Sequence, residues 1–92
     1  FTGWDLEHAG VMETSLMLLF YPDLVDMGKV DDPLYEGLPA ELPNYDVLPI
    51  VADYTPPSGC LSSPGASSRE KGVVLRDTAV RNMVDAIRAE FA

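Results

Sequence analysis

The first fifteen residues group several side chains that could do chemistry. They include its only tryptophan, Trp4, and its only histidine, His8. Three carboxylates lie among and beyond them, at Asp5, Glu7 and Glu13. Imidazole is the side chain that gains and loses protons most readily near neutral pH, and a carboxylate can orient it. Directly before an apolar run, these residue types are suited to a functional site, because burial and neighbouring charges can shift the pKa values of titratable groups.

The spacing of these residues restricts how they can converge. If residues 5–13 were all helical, His8 and Glu13 would lie roughly 140° apart around the axis and would not share a face. In an extended segment, Asp5 and Glu7 point to the same side, because side chains alternate along it. We therefore expect an extended or turned loop up to His8, followed by a helix. The alternative is that His8 and the carboxylates only flank a helix N-terminus, where negative charge is favourable.

The composition limits what kind of protein this chain belongs to. Its 92 residues can form one small domain at most. The single cysteine, Cys60, cannot form an internal disulfide, which favours a reducing, cytoplasmic setting. Because the chain begins at Phe1 rather than at methionine, we expect it to be processed, truncated or part of a longer protein.

Negative charge is concentrated in the first part of the chain. Residues 1–55 hold eleven acidic residues and one basic residue, Lys29, and the whole chain has a net charge of −9. An acidic surface repels phosphate groups, so nucleic acid and anionic membranes are poor partners. The longest apolar run, residues 16–21, is too short to span a bilayer.

The apolar spacing predicts a helix from about Gly10 to Phe20. Its apolar stripe recurs at helical intervals, at Met12, Leu16, Leu19 and Phe20. Pro22 is expected to end this helix, since proline disfavours a helical residue before it, and to open one further turn. The loop and the helix together form the first unit of the chain, residues 1–20, which carries the candidate site.

Residues 26–65 contain seven of the eight prolines, which excludes regular helix over most of this span. Apolar residues recur along the span, as they would not in a disordered linker. We therefore expect a long extended segment wrapped over a larger body. Tyr45–Val51 favours a β-strand, and Pro49 within it removes a backbone donor, which predicts a strand at the edge of a sheet.

A second helix is predicted over residues 67–91. Ser67 and Glu70 have the spacing of a capping box, in which the serine bonds to an amide of the first turn and the glutamate reaches back. The apolar positions after it recur at helical intervals, at Val73, Val80, Met83, Val84, Ile87 and Phe91. This stripe is longer than the short first helix can cover. It predicts contact with a surface that this chain does not supply.

Other catalytic and metal-binding motifs are absent from the sequence. It contains no CxxC pair, GxGxxG, P-loop or HExxH pattern. Ser62 and Ser63 could be nucleophiles beside His8, but their proline- and glycine-rich surroundings are typical of a turn. A metal site built from the polar residues of the first unit alone is also disfavoured, because it would have a single nitrogen ligand and no tight ligand spacing.

Several stretches of the chain resemble the C-terminal part of the creatininase family. They are Gly3–Gly10, Glu13–Leu18 and Tyr21–Asp26, and then Tyr45–Val47, Pro49, Leu61–Ser63 and Ala66–Gly72. The pattern His-x-Gly-x-x-Glu-Thr-Ser, which starts at His8, is shared across the wider superfamily. The pattern Trp-Asp-x-Glu, which starts at Trp4, is more particular to the creatininases themselves. The resemblance covers nearly the whole chain.

The resemblance implies a hydrolase that acts on a cyclic amide and interconverts creatinine and creatine. It implies an α/β protein with a three-layer α/β/α fold, of which residues 1–92 form the C-terminal part, assembled as a homohexamer. Each active site of the family holds two divalent metal ions, typically zinc and manganese. Their ligands belong to segments upstream of this chain, so the N-terminal part of the enzyme is an expected partner.

The same resemblance implies a role for each polar residue near the start of the chain. Trp4 lies on a loop that closes over the substrate, Asp5 contacts the guanidino-like edge of the substrate, and His8 shuttles a proton near the scissile amide. The leaving ring nitrogen must gain a proton, which suits an imidazole. Glu7 and Glu13 are expected at most to support these residues. The alternative for Glu13 is that its negative charge only stabilises the N-terminus of the helix.

Two other functions compete with this interpretation. One is a different amidohydrolase of the superfamily, such as the peptide-trimming type that acts in redox-cofactor maturation. An assay with creatinine and a panel of small peptides separates these two. The other is a non-catalytic fragment that binds a partner through its terminal helix, which a stable complex with a protein lacking a metal site would favour.

Overall fold

The computed structural model describes residues 8–30, 57–60 and 63–91. Two helices, α1 (Val11–Phe20) and α2 (Arg69–Phe91), are the main elements of these ranges, and two 3-10 turns follow α1. The described ranges contain no strand. The expected edge strand, Tyr45–Val51, lies outside them, so the α/β layering stays a prediction. Neither helix in the described part of the chain is both long and apolar enough to cross a membrane.

The bounds of α1 follow from the residues at its two ends. Thr14 N–H donates to the carbonyl of Gly10 at 3.0 Å, which makes Gly10 the N-cap. Tyr21 N–H donates to the carbonyl of Met17 at 2.8 Å and closes the last turn. Pro22 then opens the first 3-10 turn, Pro22–Leu24, where its missing N–H costs nothing. The predicted helix and the further turn that begins at Pro22 are confirmed.

The segment predicted to be extended from residue 26 begins instead with a turn. Met27–Lys29 form the second 3-10 turn, and the Asp26 carboxylate accepts the N–H of Gly28 at 2.9 Å. The Lys29 ammonium also lies 3.8 Å from the Asp26 carboxylate, in an exposed pair that contributes at most about 1 kcal/mol. An aspartate before a glycine favours such a local turn over extended chain. Residues 31–56 of the segment lie outside the described ranges.

Helix α2 begins one residue later than the capping-box spacing predicts. Ser68, not Ser67, is the N-cap: its hydroxyl accepts the N–H of Lys71 at 3.2 Å, and its carbonyl accepts the N–H of Gly72 at 3.1 Å. The hydroxyl of Ser67 instead donates to the carbonyl of Val11 at 3.4 Å. A tertiary contact therefore takes the first serine, and the second serine caps the helix.

The two helices meet at a pair of small residues. A Cβ atom placed on Gly72 would lie 2.3 Å from the backbone oxygen of Ser15 and 3.0 Å from Cβ of Leu19. Ser15 is fully buried, and Val11 is 2% exposed. The face of α1 that packs on α2 therefore contains Val11, Ser15 and Leu19, at intervals of four residues. Only glycine in α2 allows so close an approach of the two backbones.

This contact face differs from the apolar stripe that the sequence predicts for α1. Met12 and Leu16 are half-buried, and Phe20 is 54% exposed. Leu19 belongs to both, but the spacing of large apolar residues did not indicate Ser15, because the closest contact is made by a serine and a glycine.

Most of α2 presents its apolar side chains to solvent. Val80, Met83 and Ile87 are about half exposed, and Phe91 is 85% exposed. The closest approach to α1 is at Gly72, in the first turn of α2. The apolar stripe of α2 therefore extends well beyond the surface that α1 offers, as expected from its length.

Candidate functional site

His8 lies in a bend immediately before α1, and its side chain is exposed. The next residue, Ala9, has a φ of 53°, in the left-handed region. This conformation costs an L-residue about 1–2 kcal/mol, so it persists only where the surrounding structure holds it. Gly10 follows as the buried N-cap of α1. The chain thus turns sharply between His8 and the helix, which leaves the imidazole at the surface of the junction.

Glu13 holds the peptide that follows His8. Its carboxylate oxygen Oε2 accepts the backbone N–H of Ala9, two residues before α1 begins. Glu13 is also the acidic residue of the first turn of α1, where a negative charge faces the positive end of the helix dipole. Glu13 thus has the position that the helix-start alternative requires, and its role stays a prediction. The hydrogen bond to Ala9 adds a direct link to the bend that carries His8.

Two serines directly before α2 hold the N-terminal half of α1 in place. The hydroxyl of Ser15 accepts the N–H of Ser68 at 3.1 Å. The hydroxyl of Ser67 donates to the carbonyl of Val11, the first residue of α1. Both contacts are part-buried, and they join segments more than fifty residues apart in sequence. They set the position of α1 along α2 and therefore the position of the bend at its N-terminus.

A groove of about 470 Å³ opens along the side of α1 that carries Glu13. Ala9, Glu13 and Met17 form one wall, and residues of the two 3-10 turns and of the segment before α2 form the rest. Its surface is mostly apolar. This volume lies within the range of small-molecule sites. Sequence reasoning did not predict the groove, because its far wall is built from turns whose positions the sequence pattern does not fix.

The described residues do not fit a metal centre. Within residues 8–30, 57–60 and 63–91, no three histidine, cysteine, aspartate or glutamate side chains are placed to hold an ion. His8 is also the only imidazole of the whole chain, whereas sites of the zinc type draw on several nitrogen or sulfur ligands. A metal bound near His8 would need ligands from outside the described residues.

The residues predicted for the site divide into two groups. His8 and Glu13 belong to the described chain, at the bend and in the first turn of α1, and Ala9 connects them. Trp4, Asp5 and Glu7 lie outside the described residues, so their roles stay predictions. Ser63 is exposed, while Ser62 lies outside the described residues. The sequence pattern missed the contributions of Ala9 and Ser15, although Ser15 closes the Glu-Thr-Ser stretch of the motif that starts at His8.

Comparison with known proteins identifies relatives along nearly the whole chain. The profile of the family described as "Creatininase: Creatinine amidohydrolase" matches residues 2–87. A creatinine amidohydrolase of Pseudomonas putida is 52% identical to this chain over 91 residues. These residues are 99% of this chain and 34% of the relative, so the chain spans about a third of the relative's length.

Solved creatininase structures match the fold of the chain. The manganese creatininase matches with a TM-score of 0.78 at 52% identity. A creatininase variant of the Zn–Zn type and a variant complexed with creatine each match with a TM-score of 0.77 at 52% identity. Each match covers 99% of this chain and 34% of the solved chain. The described helices thus correspond to one part of a larger fold.

Proposed function

Because the chain belongs to the creatinine amidohydrolase family, we propose that it supplies the substrate loop and the proton-shuttle histidine of an enzyme that interconverts creatinine and creatine. The observation that carries the proposal is the 52% identity over 91 residues to a creatinine amidohydrolase. A solved relative complexed with creatine supports the choice of substrate. Since the chain spans about a third of these relatives, the activity belongs to the longer protein.

The reaction needs a group that delivers a proton to a leaving nitrogen. In the hydrolytic direction, water adds to the carbonyl carbon of the cyclic amide, and the bond from this carbon to the ring nitrogen breaks. The nitrogen collects a proton and becomes an NH2 of the open-chain guanidino group, while the carbonyl carbon becomes a carboxylate. We assign the delivery of this proton to His8, whose exposed position before α1 leaves its ring accessible to a small molecule.

Substrate contacts are assigned to the residues before His8. Trp4 would cover the planar substrate and exclude water from it, since an indole face attracts a cationic or polarised ring. Asp5 would pair with the guanidino-like edge of the substrate. Glu7 would support this loop. These roles rest on the match of the Trp-Asp-x-Glu pattern to the family.

The metals of the enzyme are assigned to the part that this chain does not contain. Relatives of the Zn–Zn and manganese types support divalent metals in the family. The described residues do not supply a ligand set. By the resemblance to the family, the two metal ions are held by ligands upstream of this chain, and the enzyme assembles as a homohexamer in the cytoplasm.

The proposal is tested in a completed enzyme, in which this chain replaces the matching third of the Pseudomonas putida relative. The assay measures the hydrolysis of creatinine and the cyclisation of creatine, alongside the hydrolysis of a panel of small peptides. Turnover of creatinine, with no peptide cleaved, is expected. Cleavage of peptides without turnover of creatinine would favour the peptide-trimming class. Turnover of neither, in a folded and metal-loaded hybrid, would favour a non-catalytic fragment.

A further inference from the structure

The contact between Glu13 and Ala9 has an arrangement that a charge effect alone does not require. A negative charge anywhere in the first turn of α1 would meet the helix dipole. Glu13 instead reaches back past the N-cap, and its carboxylate accepts the N–H of Ala9. The accepted N–H belongs to the peptide bond that joins His8 to Ala9, so Glu13 is bonded to the histidine's own backbone unit.

The conformation of Ala9 gives this bond a specific effect. Ala9 has a φ of 53°, and this angle sets the direction in which the chain leaves His8. An alanine in this region returns to more favourable angles unless its neighbours hold it. Gly10 is anchored by its place at the start of α1, where its carbonyl accepts from Thr14. Within the described residues, the bond from Ala9 N–H to Glu13 is a direct side-chain constraint on the bend.

We infer that Glu13 is a positioning residue for His8: it holds the His8–Ala9 peptide in the orientation that presents the imidazole to the substrate. The inference rests on the proposed proton-shuttle role of His8. It predicts that what matters at position 13 is the reach of the acceptor oxygen and not its charge. Displacing a catalytic group by about 1 Å can lower turnover about 100-fold, so loss of the bond is expected to act on kcat.

Two substitutions separate reach from charge. Glu13→Gln keeps an acceptor oxygen at the same distance and removes the charge. Glu13→Asp keeps the charge at the helix start but is one methylene group shorter. In the completed enzyme, positioning predicts that Glu13→Gln retains kcat within about threefold and that Glu13→Asp and Glu13→Ala lower it about 10- to 100-fold, with KM little changed. If Glu13 acted only on the helix dipole, Glu13→Asp would retain kcat and Glu13→Gln would lower it. That result would overturn the inference.

A double-mutant cycle tests whether Glu13 acts through His8. If it does, adding Glu13→Asp to His8→Ala lowers kcat no further, because the group being positioned is already absent. A full additional loss in the double variant would show that Glu13 acts on the fold, and it would overturn the inference. Hydrogen exchange of the amides around Ala9 is expected to increase in Glu13→Asp and to stay unchanged in Glu13→Gln.

The matched control is Glu70, which is the acidic, exposed residue in the first turn of α2. Glu70→Asp and Glu70→Gln make the same chemical changes at another helix start and are expected to leave kcat unchanged. Normal turnover in His8→Ala would overturn the proposed role of His8 and this inference with it. If His8→Ala lowers kcat but Glu13→Asp does not, the positioning role of Glu13 is wrong, and the proposed role of His8 stands.

Discussion

His8 combines an exposed side chain with a fixed backbone position, since it precedes the anchored start of α1. The ring is exposed and contributes little to packing. Replacing it should therefore change chemistry far more than stability. We expect His8→Ala in the completed enzyme to lower turnover of creatinine by about two to four powers of ten, the usual contribution of a general acid–base group. The measurement is kcat for creatinine together with the thermal midpoint of unfolding, which should barely move.

Chemical rescue provides the control for His8. Imidazole added to the His8→Ala enzyme is expected to restore part of the lost turnover in proportion to its concentration, because it can deliver the proton that the side chain no longer supplies. Near-normal turnover of His8→Ala in the absence of imidazole would instead make His8 a structural residue.

Gly72 decides how closely the two helices approach. In an isolated helix, alanine is about 1 kcal/mol more favourable than glycine. At this position a methyl group would lie 2.3 Å from the carbonyl oxygen of Ser15, a backbone atom that cannot move without moving α1. We therefore expect Gly72→Ala to destabilise the completed enzyme, by about 1–3 kcal/mol. Urea unfolding measures the change in the free energy of unfolding. Helix propensity alone would predict that Gly72→Ala stabilises the protein, which is the opposite result.

Ala86 offers the matching control within the same helix, because it is exposed and far along α2 from the contact with α1. Ala86→Gly should cost about 1 kcal/mol through helix propensity alone. If Gly72→Ala stabilised the protein by a similar amount, the close packing of α1 on α2 would be wrong.

The N-cap of α2 gives a second prediction at the scale of the helix. Ser68→Ala removes the hydroxyl that accepts the N–H of Lys71, and it should cost about 1 kcal/mol of stability. Ser67→Ala removes only a 3.4 Å hydrogen bond to Val11 and should cost less. Urea unfolding of both variants compares them directly. A larger loss of stability for Ser67→Ala than for Ser68→Ala would favour the capping box that the spacing of Ser67 and Glu70 predicts.

The sequence predicted the helices well and their contact poorly, for a physical reason. Pro22 marks the end of α1, and apolar residues at helical intervals mark α2, because both signals are local. The packing face depends on Ser15 and Gly72, whose small size matters only when the two helices meet. The hydrogen bond from Ala9 N–H to Glu13 was not predicted either, because it depends on a left-handed φ at Ala9, which an alanine does not favour.

At the scale of the whole molecule, the described part of the chain exposes several large apolar side chains. Val80, Met83, Ile87 and Phe91 of α2 are all exposed, as are Phe20 and Leu24 near α1. Burying each such side chain is worth about 1.5–3 kcal/mol, which is comparable with the total stability of a small domain. We expect the isolated chain to be aggregated or partly unfolded, to bind no stoichiometric zinc or manganese and to hydrolyse no creatinine. Analytical ultracentrifugation, elemental analysis and the creatinine assay measure the three properties.

Completion of the enzyme is the control for this prediction. Joining the chain to the remaining part of the Pseudomonas putida relative should give solubility, metal content and activity together, because the proposed function assigns to that part both the metal ligands and the surface that covers α2. A cooperatively melting monomer of the isolated chain that carries metal would contradict the prediction. Its ligands would then have to come from Asp5, Glu7, His8 and Glu13.

The bond from Ser68 N–H to the Ser15 hydroxyl closes a loop between residues 53 apart in sequence. Closing a flexible loop of this length costs about 3.5 kcal/mol of chain entropy, apart from a constant set by stiffness. This cost grows only with the logarithm of length, so doubling or halving the loop changes it by about 0.6 kcal/mol. The junction of α1 and α2 therefore places almost no limit on the length of the intervening segment. Insertions and deletions between the two helices are therefore expected to change the stability of the helix pair only slightly.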